Sequence, residues 1–177
     1  VAAGDGAKIA STGKLNETEV TVTLDYNYEG ADTVTYTTTE GTSIELPSPE
    51  REGYTFSGWS HGNQLYQAGT QISLNGGGEK TFAAVWTANQ YTVTFNGNGG
   101  TVAGKDTYQV TKNYGVEANA FADGQVLRNG AEFLGWARTE DGKVVYAPAA
   151  KILWDFTDNT PVLYAIWDVD QLTVSYS

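Results

Sequence analysis

The sequence predicts a mainly β protein, α+β at most, made of two small mixed-sheet domains in tandem. One basis is residues 91–100, YTVTFNGNGG, where apolar and polar side chains alternate and then give way to glycines, as in a half-buried strand entering a turn. A second is composition, since strand-favouring threonine, valine, tyrosine and tryptophan are abundant. A third is recurrence, because residues 20–24 and 172–176 repeat the same alternation.

The composition excludes several classes of function. With 10 basic and 21 acidic residues, the 177-residue chain has a formal net charge of −11, which repels phosphate backbones and anionic lipid headgroups. We therefore expect neither nucleic-acid binding nor direct membrane binding. The absence of cysteine removes disulfides, thiol nucleophiles and thiolate metal sites. The chain lacks methionine and begins at Val1, so we expect it to belong to a longer protein that carries any export signal or anchor elsewhere.

The first repeat is predicted to span residues 20–89, after a small, polar segment (residues 1–19) that we interpret as a linker or the end of a preceding module. Its opening strand enters a turn and pairs back as a hairpin with a second alternating strand. The sequence PERE at residues 49–52 favours one short helical turn. A strand then ends on Trp59, which we expect to be buried beside a glycine that lets the backbone approach closely. Residues 81–86 form the closing strand.

The second repeat, residues 90–168, aligns with the first step by step. The sequence AEFLGW ends on Trp136 as YTFSGW ends on Trp59, and the closing strand ends on Trp167 as the first ends on Trp86. The offset grows from 71 to 81 residues, so the second copy carries insertions of six and four residues, which loops absorb at little entropic cost. Residues 169–177 are predicted to be a terminal strand or the start of a further repeat.

Three motifs in fixed order, FNGNGG at residues 95–100, FLGW at residues 133–136 and LYAIW at residues 163–167, resemble the Listeria–Bacteroides repeat. This repeat occurs in internalin-type B repeats and other bacterial surface proteins. The resemblance implies a β-grasp-like mixed sheet with a short or degenerate crossover helix. It also implies an extracellular, wall-attached protein, usually of a Gram-positive bacterium, whose repeats act as spacers, stalks or adhesive modules. The family carries no shared catalytic residue that could be transferred to this chain.

Enzymatic and metal-binding functions have weak candidates in the sequence. His61, the only histidine, follows Trp59 in a turn-like sequence and has no counterpart after Trp136, so we interpret it as a surface-loop residue. The carboxylates of Asp155, Asp158, Asp168 and Asp170 lack the spacing of a dedicated calcium loop and are interpreted as a solvated acidic surface. We predict no catalytic residue, no metal and no cofactor.

Tyrosines carry the binding hypothesis, since exposed tyrosine is a favoured contact residue. Tyr26 and Tyr28 stand where the second copy has glycine, so we expect the first turn to differ in geometry and both rings to share a face, with Tyr36 beside them. Packing against a neighbouring segment is an equal alternative. The inserted loop at residues 121–125 is a weaker candidate.

These inferences predict a non-catalytic repeat module of a bacterial surface protein. It would act as a stalk or spacer, as an adhesin that binds a host protein or glycan during colonisation or virulence, or as both. Its other partners would be neighbouring repeats of the same chain. The alternative is a carbohydrate-binding module appended to a secreted glycan-degrading enzyme.

Overall fold

The computed structural model describes residues 18–119 and 121–169, and the chain divides after Thr87 into two compact units. The interpretation of residues 1–17 as a linker, and of residues 170–177 as further strand, lies outside the described residues. Each unit has its own mixed sheet and its own apolar core. The predicted mainly β fold of two tandem domains is confirmed.

The first unit is organised around two parallel neighbours, its first and last strands. The sheet order is β2-β1-β7-β4-β5, with β1 parallel to β7 and antiparallel to β2. Strands β3 and β6 pair separately as a short antiparallel ribbon. The bounds are β1 (Glu19–Asp25), β2 (Thr33–Thr39), β3 (Ser43–Glu45), β4 (Tyr54–His61), β5 (Gln64–Tyr66), β6 (Gln71–Ser73) and β7 (Gly78–Ala88).

The second unit repeats this topology as β10-β8-β16-β13-β14, with β8 parallel to β16. The ribbon of β11 with β15 matches that of β3 with β6. A further ribbon, β9 with β12, has no counterpart among the described residues of the first unit, and β12 follows the predicted inserted loop. The bounds are β8 (Gln90–Asn96), β9 (Thr101–Val102), β10 (Thr107–Asn113), β11 (Glu117–Ala118), β12 (Val126–Leu127), β13 (Ala131–Ala137), β14 (Val144–Tyr146), β15 (Ile152–Leu153) and β16 (Val162–Val169).

The alternating strands bury one face, as their pattern predicts. In β1 the side chains of Val20, Val22 and Leu24 are buried, while the hydroxyls of Thr21 and Thr23 lie on the other face and meet threonine hydroxyls of β2. The cores are closed by large side chains, among them Trp59 and Phe82 in the first unit and Trp136, Trp154 and Phe95 in the second.

The glycine before each predicted core tryptophan is required by its neighbours. Gly58 and Gly135 have φ angles of 146° and 131°. A Cβ on Gly58 would lie 3.0 Å from the Tyr66 carbonyl oxygen, and one on Gly135 would collide with the Tyr146 carbonyl. At Gly135 the pairing of β13 with β16 also shifts register, so the strand bends where the indole enters the core.

The helical turn predicted at residues 49–52 is wrong, and the described residues contain no helix. Pro47 and Pro49 lack a backbone N–H and favour an extended residue before them. The backbone of Leu46 is bonded on both sides, its N–H to Thr70 and its carbonyl to Gly69. The crossover is therefore an extended segment. Within the described ranges, no helix is long and apolar enough to cross a membrane.

Candidate functional site

The turn after the opening strand is held by the same hydrogen bonds in both units. In the first, the Asn27 backbone N–H donates to Asp25 Oδ1 at 2.8 Å, and Asn27 Nδ2 donates to the Ala84 carbonyl at 2.9 Å. In the second, the Asn98 backbone N–H donates to Asn96 Oδ1 at 2.8 Å. The predicted difference in turn geometry is therefore wrong for this half of the turn.

The closing strand completes this arrangement with a tryptophan. Trp86 Nε1 donates to the Tyr26 carbonyl at 2.8 Å, and Trp167 Nε1 donates to the Gly97 carbonyl at 2.8 Å. Asn27 and Asn98 both have positive φ, 62° and 51°, a region that asparagine tolerates better than most residues. We call this recurring set of bonds the tryptophan clasp.

Beyond the clasp the two turns diverge. In the second unit a Cβ on Gly97 would collide with the Gly100 carbonyl, so only glycine permits that path. Tyr26 occupies the corresponding position in the first unit, and the chain must leave the turn differently. Gly99 has a φ of +96°, whereas Tyr28, its counterpart, does not have positive φ. The sequence difference therefore changes the second half of the turn alone.

The three tyrosines singled out from the sequence are half-buried and take different places. The Tyr26 ring packs against the core, 5.7 Å from Trp59 between centroids. Tyr36 stands opposite Val22 on the edge strand β2 and packs on the same core, and burial raises its pKa above the ordinary value of 10.0. Tyr28 lies farther along the turn, its ring edge-on to Trp86 at 5.9 Å.

Arg51 joins Tyr28 to residues that the sequence did not single out. Its guanidinium carbon lies 3.5 Å from the ring centroid of Tyr54, 4.5 Å from that of Tyr28 and 5.8 Å from that of Trp86. Such distances are those of cation–π contacts. We call Tyr28, Arg51, Tyr54 and Trp86 the aromatic patch. It adjoins an open groove lined by Ser48, Pro49, Glu50, Glu52, Phe56 and Gln67.

In the part of the chain that the structure describes, the aromatic patch belongs to the first unit only. Counting from the shared clasp, Tyr28 corresponds to Gly99, and counting from the shared Gly-Trp motif, Tyr54 corresponds to Ala131. Arg51 corresponds to Arg128. The Arg128 guanidinium lies beside Gly99, where the first unit has the ring of Tyr28 beside Arg51. Comparison of the repeats could have predicted Tyr54, because it is a second tyrosine that stands where the other repeat has a small residue.

His61 does not lie in a loop, so that prediction is wrong. It ends strand β4, where its ring stacks on Phe82 at 4.6 Å and Nδ1 lies 2.9 Å from the Thr81 carbonyl oxygen. The strand continues past Trp59 because β5 pairs with it as far as Gln64. In the part of the chain that the structure describes, no three His, Asp or Glu side chains come together as metal ligands.

The inserted loop of the second unit turns its aromatic residue inward. The Phe121 ring lies 4.9 Å from Phe95 and 5.9 Å from Trp136, both buried. Its far side meets Tyr108, which is 38% exposed. Phe121 therefore contributes to the core, and the loop's exposed residues include Ala122 and Asp123.

Comparison with known proteins gives a consistent result. The model of the Listeria-Bacteroides repeat domain matches residues 21–85 and again residues 91–166, one match in each unit. A protein of Evansella cellulosilytica named "Putative membrane protein" is 31% identical over 138 residues, which is 75% of this chain and 19% of that protein. A second from the same organism, named "Putative Gly-rich membrane protein", is 31% identical over 141 residues, 77% of this chain and 15% of that protein. The chain thus spans less than a fifth of the length of these relatives.

Proposed function

The chain belongs to the Listeria-Bacteroides repeat family, and on that premise we propose that it is a non-catalytic extracellular module of a bacterial surface protein, which spaces and presents parts of that protein and makes adhesive contacts. The observation that carries the proposal is the parallel pairing of the first and last strands in each unit. Parallel neighbours that begin and end a unit bring the chain in at one end of the sheet and take it out at the other.

This geometry suits a stalk. A pull on the chain acts along β1 and β7 in opposite directions, so it loads the hydrogen bonds between them together instead of one after another. The register pairs residues 20–25 with residues 78–83 over six positions. Each unit also has its own core and its own tryptophan clasp, so each holds its fold with its own contacts.

We propose further that adhesion uses the aromatic patch, with Tyr28 as the residue that contacts the ligand. Tyr26 and Tyr36 would support it from the core side, because both pack against the first unit's apolar cluster. Tyrosine and arginine are the residue types that most often dominate binding energy in interfaces. The partner would be a host-surface protein or a glycan. Attachment to the cell wall would come from parts of the protein outside this chain.

A carbohydrate-binding module of a secreted glycan-degrading enzyme is the second candidate. The aromatic patch favours it too, since flat rings beside an open groove suit stacking on sugar rings. The relatives' names mention membrane proteins and no enzyme, which supports the surface module first.

The test is a glycan array together with a panel of purified host extracellular proteins, probed with the full chain. Tyr28→Ala should weaken the binding of at least one ligand about tenfold or more, as truncating a central aromatic contact does. Tyr108→Ala, an exposed tyrosine of the second unit, is the matched control and should bind as the unaltered chain does. Absence of binding to every ligand would leave the spacing role alone, and release of hydrolysis products from a glycan would contradict the non-catalytic assignment.

A further inference from the structure

A cavity of about 240 Å³ lies in the second unit, under the inserted loop. Its wall is mainly apolar and includes the rings of Phe121, Phe133 and Trp136. Its polar lining side chains are Asn119 and Asp123, both exposed, which places polar groups at the mouth and aromatic groups within. Small-molecule sites usually combine apolar walls with a few polar groups that fix the orientation of the ligand.

The cavity arises where the two repeats fill their cores differently. Strands β3 and β11 correspond, since each pairs with the strand before the closing strand. Beyond β3 in the first unit stands Leu46, which is buried, whereas beyond β11 in the second unit the cavity is lined by Asn119, Phe121 and Ala122.

One of the residues that line the cavity, Trp136, carries a buried hydrogen-bond donor. Of the five tryptophans, Trp136 is 3% exposed, and no acceptor among residues 18–119 and 121–169 is paired with its Nε1. A buried N–H without a partner is costly, so this group calls for an acceptor. The other four each donate to a carbonyl: Trp59 to Pro47, Trp86 to Tyr26, Trp154 to Tyr91 and Trp167 to Gly97.

The loss of that acceptor has the same origin as the cavity. Trp59 in the first unit donates to the Pro47 carbonyl at 2.9 Å. Phe121 corresponds in sequence to Pro47, but it follows the inserted loop's own course, closed by Gln125 Oε1 accepting from the Ala122 backbone N–H. Trp136 therefore keeps the place of Trp59 in the core without its hydrogen bond.

We propose that this cavity binds a single neutral sugar ring. The C–H faces of a sugar pack on aromatic rings, a hydroxyl oxygen accepts from Trp136 Nε1, and hydroxyl hydrogens donate to the Asp123 carboxylate. In the amide orientation that lets its nitrogen donate to the Ala150 carbonyl at 2.8 Å, Asn119 keeps its amide oxygen as a second acceptor. At roughly 30 Å³ per water the volume equals about eight waters, which is room for one ring and not for a chain.

Charge and hydrogen bonding narrow the ligand class. The net charge of −11 and the carboxylate of Asp123 disfavour an acidic sugar. An alkylammonium group would suit the rings and Asp123, but it would leave the Trp136 N–H without an acceptor. This inference concerns the second unit and does not depend on the aromatic patch of the first, so either can fail alone.

The experiment is a two-dimensional ¹H–¹⁵N NMR titration of the full chain with D-glucose, D-galactose, D-mannose and N-acetyl-D-glucosamine, each to about 50 mM, where millimolar affinities are visible. The Trp136 indole signal is assigned by its loss in Trp136→Phe. At least one sugar should shift the Trp136 indole signal and the Ala122 amide signal in a saturable way, while the Trp59 indole signal stays in place. Shifts from none of the four sugars would overturn the proposal and leave a cavity that holds water only.

Two variants test the location. Asp123→Ala should weaken binding about tenfold or more, as expected for a lost hydrogen bond to a charged group. Asp155→Ala, an exposed aspartate of the same unit that does not line the cavity, is its matched control and should not weaken it. Ala150→Leu should abolish binding by filling the cavity. The spectra report folding of each variant, and unchanged affinity in folded Asp123→Ala and Ala150→Leu would overturn the proposal.

The ligand could be the terminal residue of a glycan or a free monosaccharide. Titration with the methyl glycoside of the sugar that binds distinguishes these two sources. Equal affinity for the methyl glycoside supports recognition of a terminal residue on a glycan. Binding of the free sugar alone supports a free monosaccharide as the ligand. Either result places a sugar ring in the cavity.

Discussion

Trp86 donates its indole N–H to the carbonyl of Tyr26, at 2.8 Å and across 60 positions of sequence. The bond joins the end of the closing strand β7 to the turn after the opening strand β1. These two strands are also parallel neighbours in the sheet. The bond fixes the turn regardless of which side chain stands at position 26, because it uses the backbone. This explains how the clasp persists where the second unit has Gly97 in place of Tyr26.

Trp86→Phe should remove this bond while keeping most of the ring packing. We expect the first unit to lose about 1 kcal/mol of unfolding free energy, the usual net value of one hydrogen bond. Urea unfolding gives the change, and native-state hydrogen exchange assigns it to a unit. Trp167→Phe is the matched variant and should lower protection in the second unit. Equal loss of protection in both units after either change would contradict the clasp as a local device.

Gly135→Ala should destabilise the second unit strongly, because a Cβ there collides with the Tyr146 carbonyl and φ is +131°. We expect a loss of about 2 kcal/mol or more, since both the neighbouring backbone and the bulge must move. Gly130→Ala is the control, because its added Cβ meets nothing within 4 Å and only its φ of +69° is strained. Its loss should be about 1 kcal/mol, the cost of a side chain in the left-handed region. Similar losses in the two variants, measured by urea unfolding, would argue against the steric explanation.

Tyr36 should titrate above the ordinary tyrosine pKa of 10.0, because burial disfavours its charged form. Subtracting the alkaline absorbance titration of Tyr36→Phe from that of the parent isolates this residue. The folded state then binds the proton more tightly than the unfolded state, so this contribution is present below about pH 10 and is lost as pH rises through the folded pKa. Tyr36→Phe should accordingly lose less stability between about pH 9 and about pH 11. A difference midpoint at or below 10 would contradict the prediction.

The two units should differ in mechanical strength. Their parallel terminal strands pair at six positions in the first unit and at three in the second. Since the pull loads these pairs together, the first unit should unfold at the higher force. Force spectroscopy of the full chain between surface attachments should resolve two unfolding steps. A weakening variant of the second unit, Gly135→Ala, should lower only the smaller step, and lowering of the larger step would reverse the assignment.

Much of the fold was predictable because it follows from local patterns. Alternation placed Val20, Val22 and Leu24 on a buried face, and the Gly-Trp pairs marked both core indoles. The clasp was not predicted because its sequence signal is weak. The signal is an Asp or Asn two positions before an Asn, at residues 25–27 and 96–98. The glycines of the second turn are the more prominent feature of the sequence, although an asparagine has a positive φ angle in both turns.

The candidate sites were harder to predict because they depend on long-range packing. Tyr28 could be found by comparing the repeats, but its contact with Arg51 required the fold. The cavity depends on the path of the inserted loop, which has no periodic signature in the sequence. The inserted loop at residues 121–125 was a weaker binding candidate, yet the Phe121 ring packs against the buried Phe95.

The edge strands β2 and β10 have a consequence for how two tandem repeats fold in one chain. Tandem repeats meet one another at millimolar effective concentration, and exposed strand edges then invite exchange between copies. Here the edges read TVTYTTT and TYQVTKN, the first rich in threonine and the second bearing Lys112. The two edges differ in sequence, and the second carries a charge. If one unit incorporated the edge strand of the other, the side chains across the two strands would therefore not match. We therefore expect the divergence of the repeats to disfavour exchange of these edge strands between the two units.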